Sequence, residues 1–378
     1  MAATFRVPRS RVHETHRALR EEILTALEPL LFGPVEGEGR EIRQALERQF
    51  AAATERAHAT AVHSGTVGLI IALRACGVGP GDEVITVANS DISTTGAISL
   101  CGAVPVLCDV LESDYTMDPG LVEALITERT TALLPVDLHG HPADVRTLRE
   151  LASGRGLRIV EDAALATGAQ EHGRPVGAFA DAAVFSFAPL KPVGSVGSGG
   201  MITCDDPELA ERIVQLSGYG HDPTPRSDGY QSYVEEGYNV RLDPLQAALI
   251  GIKLPHLEAW TGRRRAIAET YRQALEDTAA VTPEFRPESG PTFRSYTIRV
   301  PDQRGAHDAL RRAGVEAVLH YAPPIYRYPV YRSGLAGSEA LPVTDTLATE
   351  LLSLPVAVEL AEEEIRYVVD TLRSYLGA

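Results

Sequence analysis

Short apolar segments alternate with amphipathic ones between residues 57 and 204. The apolar segments predict strands, which lie at 58–63, 83–88, 104–109, 131–138, 157–161, 182–187 and 200–204. Between them, apolar residues recur every three or four positions and predict helices, for example at 66–75, 118–126 and 144–153. Regular alternation of this kind predicts a mostly parallel seven-stranded sheet with helices on both faces.

Helical patterns flank this region on both sides. The first 50 residues are predicted to be helical, with Leu-rich segments at 17–31 and 42–50 and a break at Gly33-Pro34. Further helices are predicted at 206–217, 304–313 and 360–375, one or two across 242–276, and one more strand near 294–300. A chain of 378 residues with 44% apolar residues can bury a substantial core. We therefore predict an α/β fold with a large domain at residues 1–255 and a small C-terminal α/β domain at 256–378.

The segment from Gly218 to Asn239 is polar and rich in Gly, Pro, Tyr and Asp. A loop of this length in a compact protein is usually a lid, an interface or a disordered patch. The sequence leaves these three open.

Composition removes several classes of function. The net charge of −16 argues against nucleic acid, because a protein that follows phosphates needs a positive surface. No apolar run approaches the roughly 18 residues that span a membrane, and the first residues lack the apolar stretch of a signal peptide. The four cysteines form no Cys-x-x-Cys pair and lie in apolar runs, which favours buried free thiols. We expect a cytoplasmic protein.

The chain contains only two lysines but 33 arginines. Arginine replaces lysine as a surface charge but not as an amine that forms an imine with an aldehyde. Lys253 lies in a periodic apolar helix, where a lysine usually extends its charge to the surface. Lys191 follows the predicted strand at 182–187 and precedes a glycine-rich stretch at 194–200. It is the candidate for a reactive amine above a sheet.

Further candidate residues lie at the same edge of the predicted sheet as Lys191. At Ser64-Gly65-Thr66 a strand turns into a helix, and the first-turn N–H groups with two hydroxyls form either an anion site or a simple helix cap. Asp162 ends an apolar strand and could cap the next helix or pair with a protonated ring nitrogen. Ser186, five residues before Lys191, is another candidate phosphate ligand.

A phosphate cradle, a carboxylate and a lysine together meet the requirements of pyridoxal 5'-phosphate (PLP). Lys191 would hold the cofactor's aldehyde as a Schiff base and move a proton of the substrate. Asp162 would keep the ring nitrogen protonated, so that the ring accepts electrons from the reacting carbon.

Several motifs resemble one family over nearly the whole chain. They are Ser64-Gly65-Thr66, Gly77 to Glu83, Glu161-Asp162-Ala163-Ala164, Phe185-Ser186-Phe187 leading to Lys191, Gly237 to Leu242, Leu245 to Ala248, His320-Tyr321 and Leu354-Pro355. The chain resembles the DegT/StrS-type sugar aminotransferases, a branch of the fold-type-I PLP enzymes. The lysine strand and the Gly-Tyr-Asn-x-Arg segment are specific when they occur together.

The resemblance implies a reaction and an assembly. An amino group would pass from L-glutamate or L-glutamine to a keto carbon of a nucleotide-linked sugar or a cyclitol. The protein would be a homodimer in which Asn239 reaches the cofactor phosphate of the neighbouring subunit and the 218–239 segment helps to cover that site. His320, Tyr321 and Tyr326 would lie in the substrate region.

Three positions depart from the family pattern. Asp91 or Ile92 stands where the family has an aromatic ring on the cofactor, and Leu165 stands where it has a glutamine near the phenolic oxygen. Tyr326 stands where many relatives carry histidine. These departures keep two alternatives open. One is elimination, epimerisation or deoxygenation on the same cofactor, although the dehydratases of the family replace the lysine that Lys191 retains. The other is a PLP-binding sensor without catalysis.

Other enzyme classes have weaker support. A nicotinamide dehydrogenase would need Gly-x-Gly-x-x-Gly at the first strand–helix turn, where this chain has Ser-Gly-Thr. A metal enzyme would need a third ligand near His139 and His141, and the other histidines are scattered along the chain. We predict no metal site.

Overall fold

A central sheet of seven strands organises the molecule. The computed structural model describes residues 5–33, 38–222, 224, 230–331, 335–338 and 341–378. The strands are β1 (His58–Val62), β2 (Glu83–Val87), β3 (Val104–Cys108), β4 (Thr130–Leu133), β5 (Arg158–Asp162), β6 (Ala182–Ser186) and β7 (Gly200–Cys204). Their order is β1-β7-β6-β5-β4-β2-β3. Only β7 runs antiparallel to its neighbours in this sheet, so the predicted mostly parallel seven-stranded sheet is confirmed.

Helices precede, cover and follow the sheet. They are α1 (Val12–Ala18), α2 (Arg20–Phe32), α3 (Glu38–Ala53), α4 (Gly65–Ala75), α5 (Ile92–Leu100), α6 (Pro119–Val122), α7 (Val145–Ala152), α8 (Pro207–Ser217), α9 (Pro244–Lys253), α10 (Leu257–Leu275), α11 (Gln303–Arg312), α12 (Pro342–Glu350) and α13 (Glu362–Leu376). Two further strands, β8 (Tyr296–Arg299) and β9 (Leu351–Leu354), pair antiparallel in the C-terminal part. Single 3₁₀ turns lie at Glu123–Leu125, Leu138–Gly140, Leu254–His256, Ile325–Arg327 and Pro329–Tyr331.

Two-residue strands complete the structure. Gln170–Glu171 pairs with Arg174–Pro175 and with Ser289–Gly290. In the 218–239 segment, His221–Asp222 pairs with Ser232–Tyr233, and Gly218 forms a bridge with Asn239. Part of the predicted loop is therefore a short antiparallel β-ladder. Residues 223 and 225–229 lie outside the described part of the chain.

The predicted and observed elements differ in a few places. Strand β4 ends at Leu133 rather than at 138, because Pro135 has no N–H for a ladder and a 3₁₀ turn follows. The sequence patterns missed α5, α12 and β9. Helix α5 is rich in Ser, Thr and Gly, which are weak helix formers, and its stability comes from packing of its buried face.

The C-terminal part has a core of its own. Buried side chains of α10, α11, α13, β8 and β9 form one cluster, separate from the clusters on the two faces of the large sheet. Val7, near the start of the chain, also packs in this cluster and forms a parallel bridge with Val315. The division of the chain at residue 255 stays a prediction.

Lys253 is buried, contrary to the expectation that its charge reaches the surface. Only 2% of this residue is exposed. Its ammonium donates a hydrogen bond to the carbonyl of Gly194, and its Nζ lies 2.6 Å from His16 Nε2. These partners come from distant parts of the chain, so the local helical pattern could not reveal them.

The four cysteines are all free, as predicted. Three are buried and Cys76 is partly exposed. Within the described residues, no helix is both long and apolar enough for a membrane span.

Candidate active site

A cavity of about 320 Å³ opens beyond the carboxyl ends of β1, β2, β5 and β6. In sheets of this kind, ligands collect at this edge. Nine of the predicted site residues line the cavity, namely Ser64, Gly65, Thr66, Asp91, Asp162, Leu165, Ser186, Lys191 and Tyr321. The fold therefore brings the predicted amine, carboxylate and phosphate cradle to one place.

One end of the cavity is formed by the start of helix α4. Ser64 caps the helix, because its Oγ accepts a hydrogen bond from the N–H of Val67 (3.3 Å). The first intrahelical bond runs from the N–H of Gly68 to the carbonyl of Ser64 (2.9 Å), so the N–H groups of Gly65 and Thr66 have no helical acceptor. Both open interpretations thus describe the same turn: Ser64 is a helix cap, and the free N–H groups fit an anion.

Close backbone packing keeps side chains out of this end. A Cβ on Gly65 would lie 3.0 Å from the Cβ of Ser186, and one on Gly200 would lie 2.6 Å from the carbonyl carbon of Ser64. The hydroxyls of Ser64, Thr66, Ser186 and Ser198 line the space that remains. Hydroxyl and N–H donors around a helix N-terminus fit a phosphate group.

Asp162 lies deep in the cavity and is 4% exposed. Its Oδ2 accepts a hydrogen bond from Thr94 Oγ1 (2.9 Å), and its Oδ1 accepts one from the N–H of Ala164 (3.2 Å). Burial raises the pKa of Asp162, and Thr94 and the positive charge of Lys191 oppose that rise. A buried carboxylate held in this way fits a cationic ring nitrogen, which would supply the opposite charge.

Thr94 and Ser90 were missed by the sequence analysis. Ser90 Oγ lies 2.9 Å from Thr94 Oγ1 and, because Thr94 donates to Asp162, Ser90 is the donor in this pair. The sequence signal that could have pointed to them is a serine and a threonine four positions apart, directly after a buried strand. Without knowledge of α5, nothing in the sequence placed them beside Asp162.

The amine of Lys191 has an unusual environment. The pKa of Lys191 is lowered to about 8 by burial, and secondarily by the nearby positive charge of Arg294, while Asp162 and Asp91 act in the opposite direction. About a tenth of such an amine is neutral at pH 7, far more than of an ordinary lysine. Lys191 is therefore suited to attack an aldehyde.

Asp91 and Leu165 occupy two of the three positions that depart from the family pattern. Asp91 caps helix α5, since its Oδ1 accepts a hydrogen bond from the N–H of Ser93 (2.9 Å). Ile92, beside it, is 45% exposed. Leu165 presents an apolar side chain to the cavity and is 8% exposed. The acid at position 91 thus has a structural role as well as a place in the lining.

The three predicted substrate residues lie in different surroundings. Tyr321 lines the cavity, whereas His320 and Tyr326 do not. His320 Nδ1 lies 3.0 Å from Ser353 Oγ, and burial lowers the pKa of His320 to about 3, so its ring is neutral. Tyr326 donates a hydrogen bond to Asp345. Their roles in substrate binding stay predictions.

Asn239 lies outside the cavity of its own chain. It is exposed, at the end of the 218–239 segment. A role toward its own site is therefore not supported, and the predicted role toward a neighbouring subunit stays a prediction.

Behind the site lies a buried pair of carboxyl groups, Asp137 and Glu161, which interact directly with each other. One oxygen of each accepts a backbone N–H, from Ala143 and Gly177 respectively, both at 2.9 Å. The other two oxygens are buried and have no donor among the described residues. Burial raises the pKa of both groups. A single shared proton satisfies both free oxygens, so we assign the pair one proton.

This geometry matches a known family. The sequence profile of the DegT/DnrJ/EryC1/StrS aminotransferase family matches residues 18–373. The chain belongs to this family. It is 42% identical over 334 residues, 88% of this chain and 89% of the relative, to the erythromycin biosynthesis sensory transduction protein EryC1 of Saccharopolyspora erythraea. It is 40% identical over 375 residues, 99% of this chain and 97% of the relative, to the dTDP-3-amino-3,4,6-trideoxy-alpha-D-glucose transaminase of Streptomyces venezuelae.

A solved structure extends the likeness to the whole fold. The crystal structure of S. venezuelae DesV in complex with a ketimine intermediate superposes with a TM-score of 0.91 at 38% identity and covers 99% of this chain and 100% of that one. The predicted family, its fold-type-I architecture and the aminotransferase class are thereby confirmed. The crystal structure of ntda from Bacillus subtilis, 25% identical with a TM-score of 0.87 over 100% of this chain and 86% of that one, contains the cofactor PMP, the amine form of PLP, in agreement with the predicted cofactor.

Proposed function

We propose that this family member moves an amino group from L-glutamate or L-glutamine to the keto carbon of a nucleotide-linked sugar. The observation that carries the proposal is that Lys191, Asp162 and the N-terminus of helix α4 line one cavity. The relative named as a dTDP-amino-sugar transaminase, which the chain matches over almost its full length, supports the nucleotide-linked acceptor.

The residues divide the work of holding the cofactor. Its phosphate would rest on the N–H groups of Gly65 and Thr66 and on the hydroxyls around them. Asp162 would pair with the ring nitrogen, and Lys191 would hold the aldehyde. When bound, PLP supplies a positively charged ring that withdraws electrons from the reacting carbon.

Lys191 and Asp162 keep distinct roles during turnover. As a free amine Lys191 has a lowered pKa, and it would take a proton from the substrate carbon and return it. Asp162 would pair as a carboxylate with the ring nitrogen, and the hydrogen bond from Thr94 favours that ionised form. Positioned proton transfer contributes about 10²–10⁴-fold to the rate.

We also infer a homodimer with shared active sites, located in the cytoplasm. Exposed apolar side chains on helix α2 and on the 218–239 segment support an interface; Phe32 is 83% exposed, Tyr230 77% and Tyr233 57%. The exposed position of Asn239 suits the predicted contact with the phosphate of the neighbouring subunit. The four free thiols suit a reducing compartment.

Absorbance spectroscopy tests the function directly. The purified protein with PLP should absorb in the visible range, and borohydride should fix the cofactor on the peptide that contains Lys191. Glutamate or glutamine should then convert the bound cofactor to its amine form, and a panel of nucleotide-linked keto-sugars should restore it. A chain that binds no cofactor would refute the proposal.

The sensor alternative predicts a different result. EryC1 is named as a sensory transduction protein, and Asp91 and Leu165 change two positions of the lining. A sensor would bind PLP on Lys191 but would not respond to any amine. The retained amine and carboxylate favour catalysis.

A further inference from the structure

A second, smaller cavity adjoins Lys191 on the side of the C-terminal core. It measures about 60 Å³, and its lining is rich in positive charge. The basic residues of the lining are Arg9, Lys191, Lys253, Arg264 and Arg294, whereas Glu359 is its acidic residue. Both lysines of the chain therefore border this space, and Lys191 borders the larger cavity as well.

Some of these charges already have partners. Arg9 Nε lies 3.4 Å from Glu316 Oε1. Lys253 donates to the carbonyl of Gly194, and the negative charge of Glu359 stabilises its ammonium. The charges of Arg9 and Lys253 are therefore balanced by partners within the fold.

The guanidinium groups of Arg264 and Arg294 are not balanced in this way. Arg264 Nη2 donates to the carbonyl of Pro192 (3.3 Å), but its Nη1 is buried without a partner. The side chain of Arg294 makes no hydrogen bond or ion pair with any described residue, and its Nε is buried. Burial lowers the pKa of both, that of Arg264 to about 10.

Glu359 acts on Arg264 from a distance without forming an ion pair, and no acid acts on Arg294. Such an arrangement is costly for a folded protein, because a buried charge needs a partner of opposite sign. The planar fork of arginine matches the two oxygens of a carboxylate. A space of about 60 Å³ holds about two water molecules. It therefore admits a carboxylate but not a diphosphate.

We infer that Arg294, assisted by Arg264, binds a carboxylate of the substrate in this second cavity. Since Lys191 borders both cavities, an acid anchored on Arg294 would have its amino or keto group beside the reacting amine. The inference rests on the proposed function for its reaction, but not for its binding. The carboxylate comes either from the amino donor or from an acidic sugar acceptor.

Binding of a dead-end dicarboxylate tests this site without turnover. The holoenzyme should bind glutarate in a calorimetric titration, and Arg294→Gln should weaken that binding by about 10- to 100-fold, as expected for loss of a charge-assisted bidentate pair. Arg294→Lys keeps the charge but loses the planar fork, so its affinity for glutarate should lie between those of the parent and Arg294→Gln. Arg265→Gln is the matched control. Arg265 follows Arg264 in α10, but it does not line the cavity and donates instead to the carbonyls of Pro291 and Gly290.

Kinetics identify the source of the carboxylate. If it belongs to the donor, Arg294→Gln raises the KM for L-glutamate about tenfold or more and, at a pH above the pKa of Lys191 in both forms, changes kcat little. If it belongs to the acceptor, the glutamate half-reaction is unchanged, glutarate binds weakly to every form, and the KM for a uronic acid sugar nucleotide rises while that for a neutral one does not. Borohydride labelling of Lys191 should persist in all variants.

The outcomes separate the two proposals. Equal affinity of the parent, Arg294→Gln and Arg264→Gln for glutarate, together with an unchanged KM for every carboxylated substrate, would overturn the carboxylate site and leave amino transfer intact. Normal glutarate binding that depends on Arg294, in a protein that aminates no sugar, would refute the proposed function and leave the site.

Discussion

Thr94 donates a hydrogen bond to Asp162 across 2.9 Å, from the first turn of α5 to the end of β5. The donor stabilises the ionised form of Asp162 against a burial that favours the protonated form. This contact therefore controls the charge of the group expected to face the ring nitrogen.

Thr94→Val should move the acidic limb of the activity profile to higher pH. Removal of the donor raises the pKa of Asp162 further, so the ionised form is lost at a higher pH as acidity increases. A pH–rate profile between pH 5 and 9 measures this, and Thr94→Ser, which keeps a hydroxyl, serves as the control. Coincident profiles for the valine and serine variants would show that Thr94 is not needed.

Lys191→Ala should abolish turnover and covalent attachment of the cofactor, because the neutral amine is both nucleophile and proton carrier. The absorbance of the bound cofactor and borohydride labelling measure the loss. Retained activity would mean that another amine carries the reaction.

Asp162→Asn should retain bound cofactor but slow the amino transfer by about 100-fold or more, since the amide cannot hold the ring nitrogen protonated. Stopped-flow spectra with L-glutamate report the half-reaction separately from binding. A near-normal rate would remove the role assigned to this carboxylate.

Attachment of the cofactor should accelerate with pH up to about pH 8 and then level off, because the pKa of Lys191 is about 8 and only its neutral form reacts. Arg294→Gln removes a positive charge that lowers this pKa, so its midpoint should lie at higher pH. Rapid mixing of the cofactor-free protein with PLP measures the rate. Arg265→Gln should follow the parent profile.

Asp91→Phe should strengthen cofactor binding through ring stacking, worth on the order of 1 kcal/mol. Because Asp91 caps α5, the same change should lower the free energy of unfolding by about 1 kcal/mol. Asp91→Asn keeps a capping side chain and separates the two effects. Release of the cofactor from the phenylalanine variant would indicate a specific contact of Asp91 with it.

The buried pair behind the site should make stability depend on pH. The folded state holds the proton of Asp137 and Glu161 more tightly than the unfolded state, so stability is lost as the pH rises through the raised pKa of the pair. Glu161→Gln replaces the shared proton by a permanent amide donor and should flatten this loss. Thermal unfolding between pH 6 and 9 measures it, and equal slopes would exclude a shared proton.

The sequence predicted the sheet because each strand is a short apolar run. It singled out Asp162, which ends such a run, and Lys191, which follows one. Helix α5 was missed since its Ser- and Thr-rich stretch lacks a helical pattern, and Thr94 was missed with it. Arg264 and Arg294 escaped notice among 33 arginines. That neither forms an ion pair with a described residue depends on packing between distant segments, which no local pattern encodes.

The burial of Lys253 has a practical consequence. Its ammonium is enclosed by His16 and Gly194, so a water-soluble acylating reagent has little access to it in the native protein. Apart from the chain terminus, Lys191 is then the primary amine that such a reagent can modify. Acylation of lysine in the native protein therefore reports the accessibility of Lys191, and a bound cofactor or substrate should protect it.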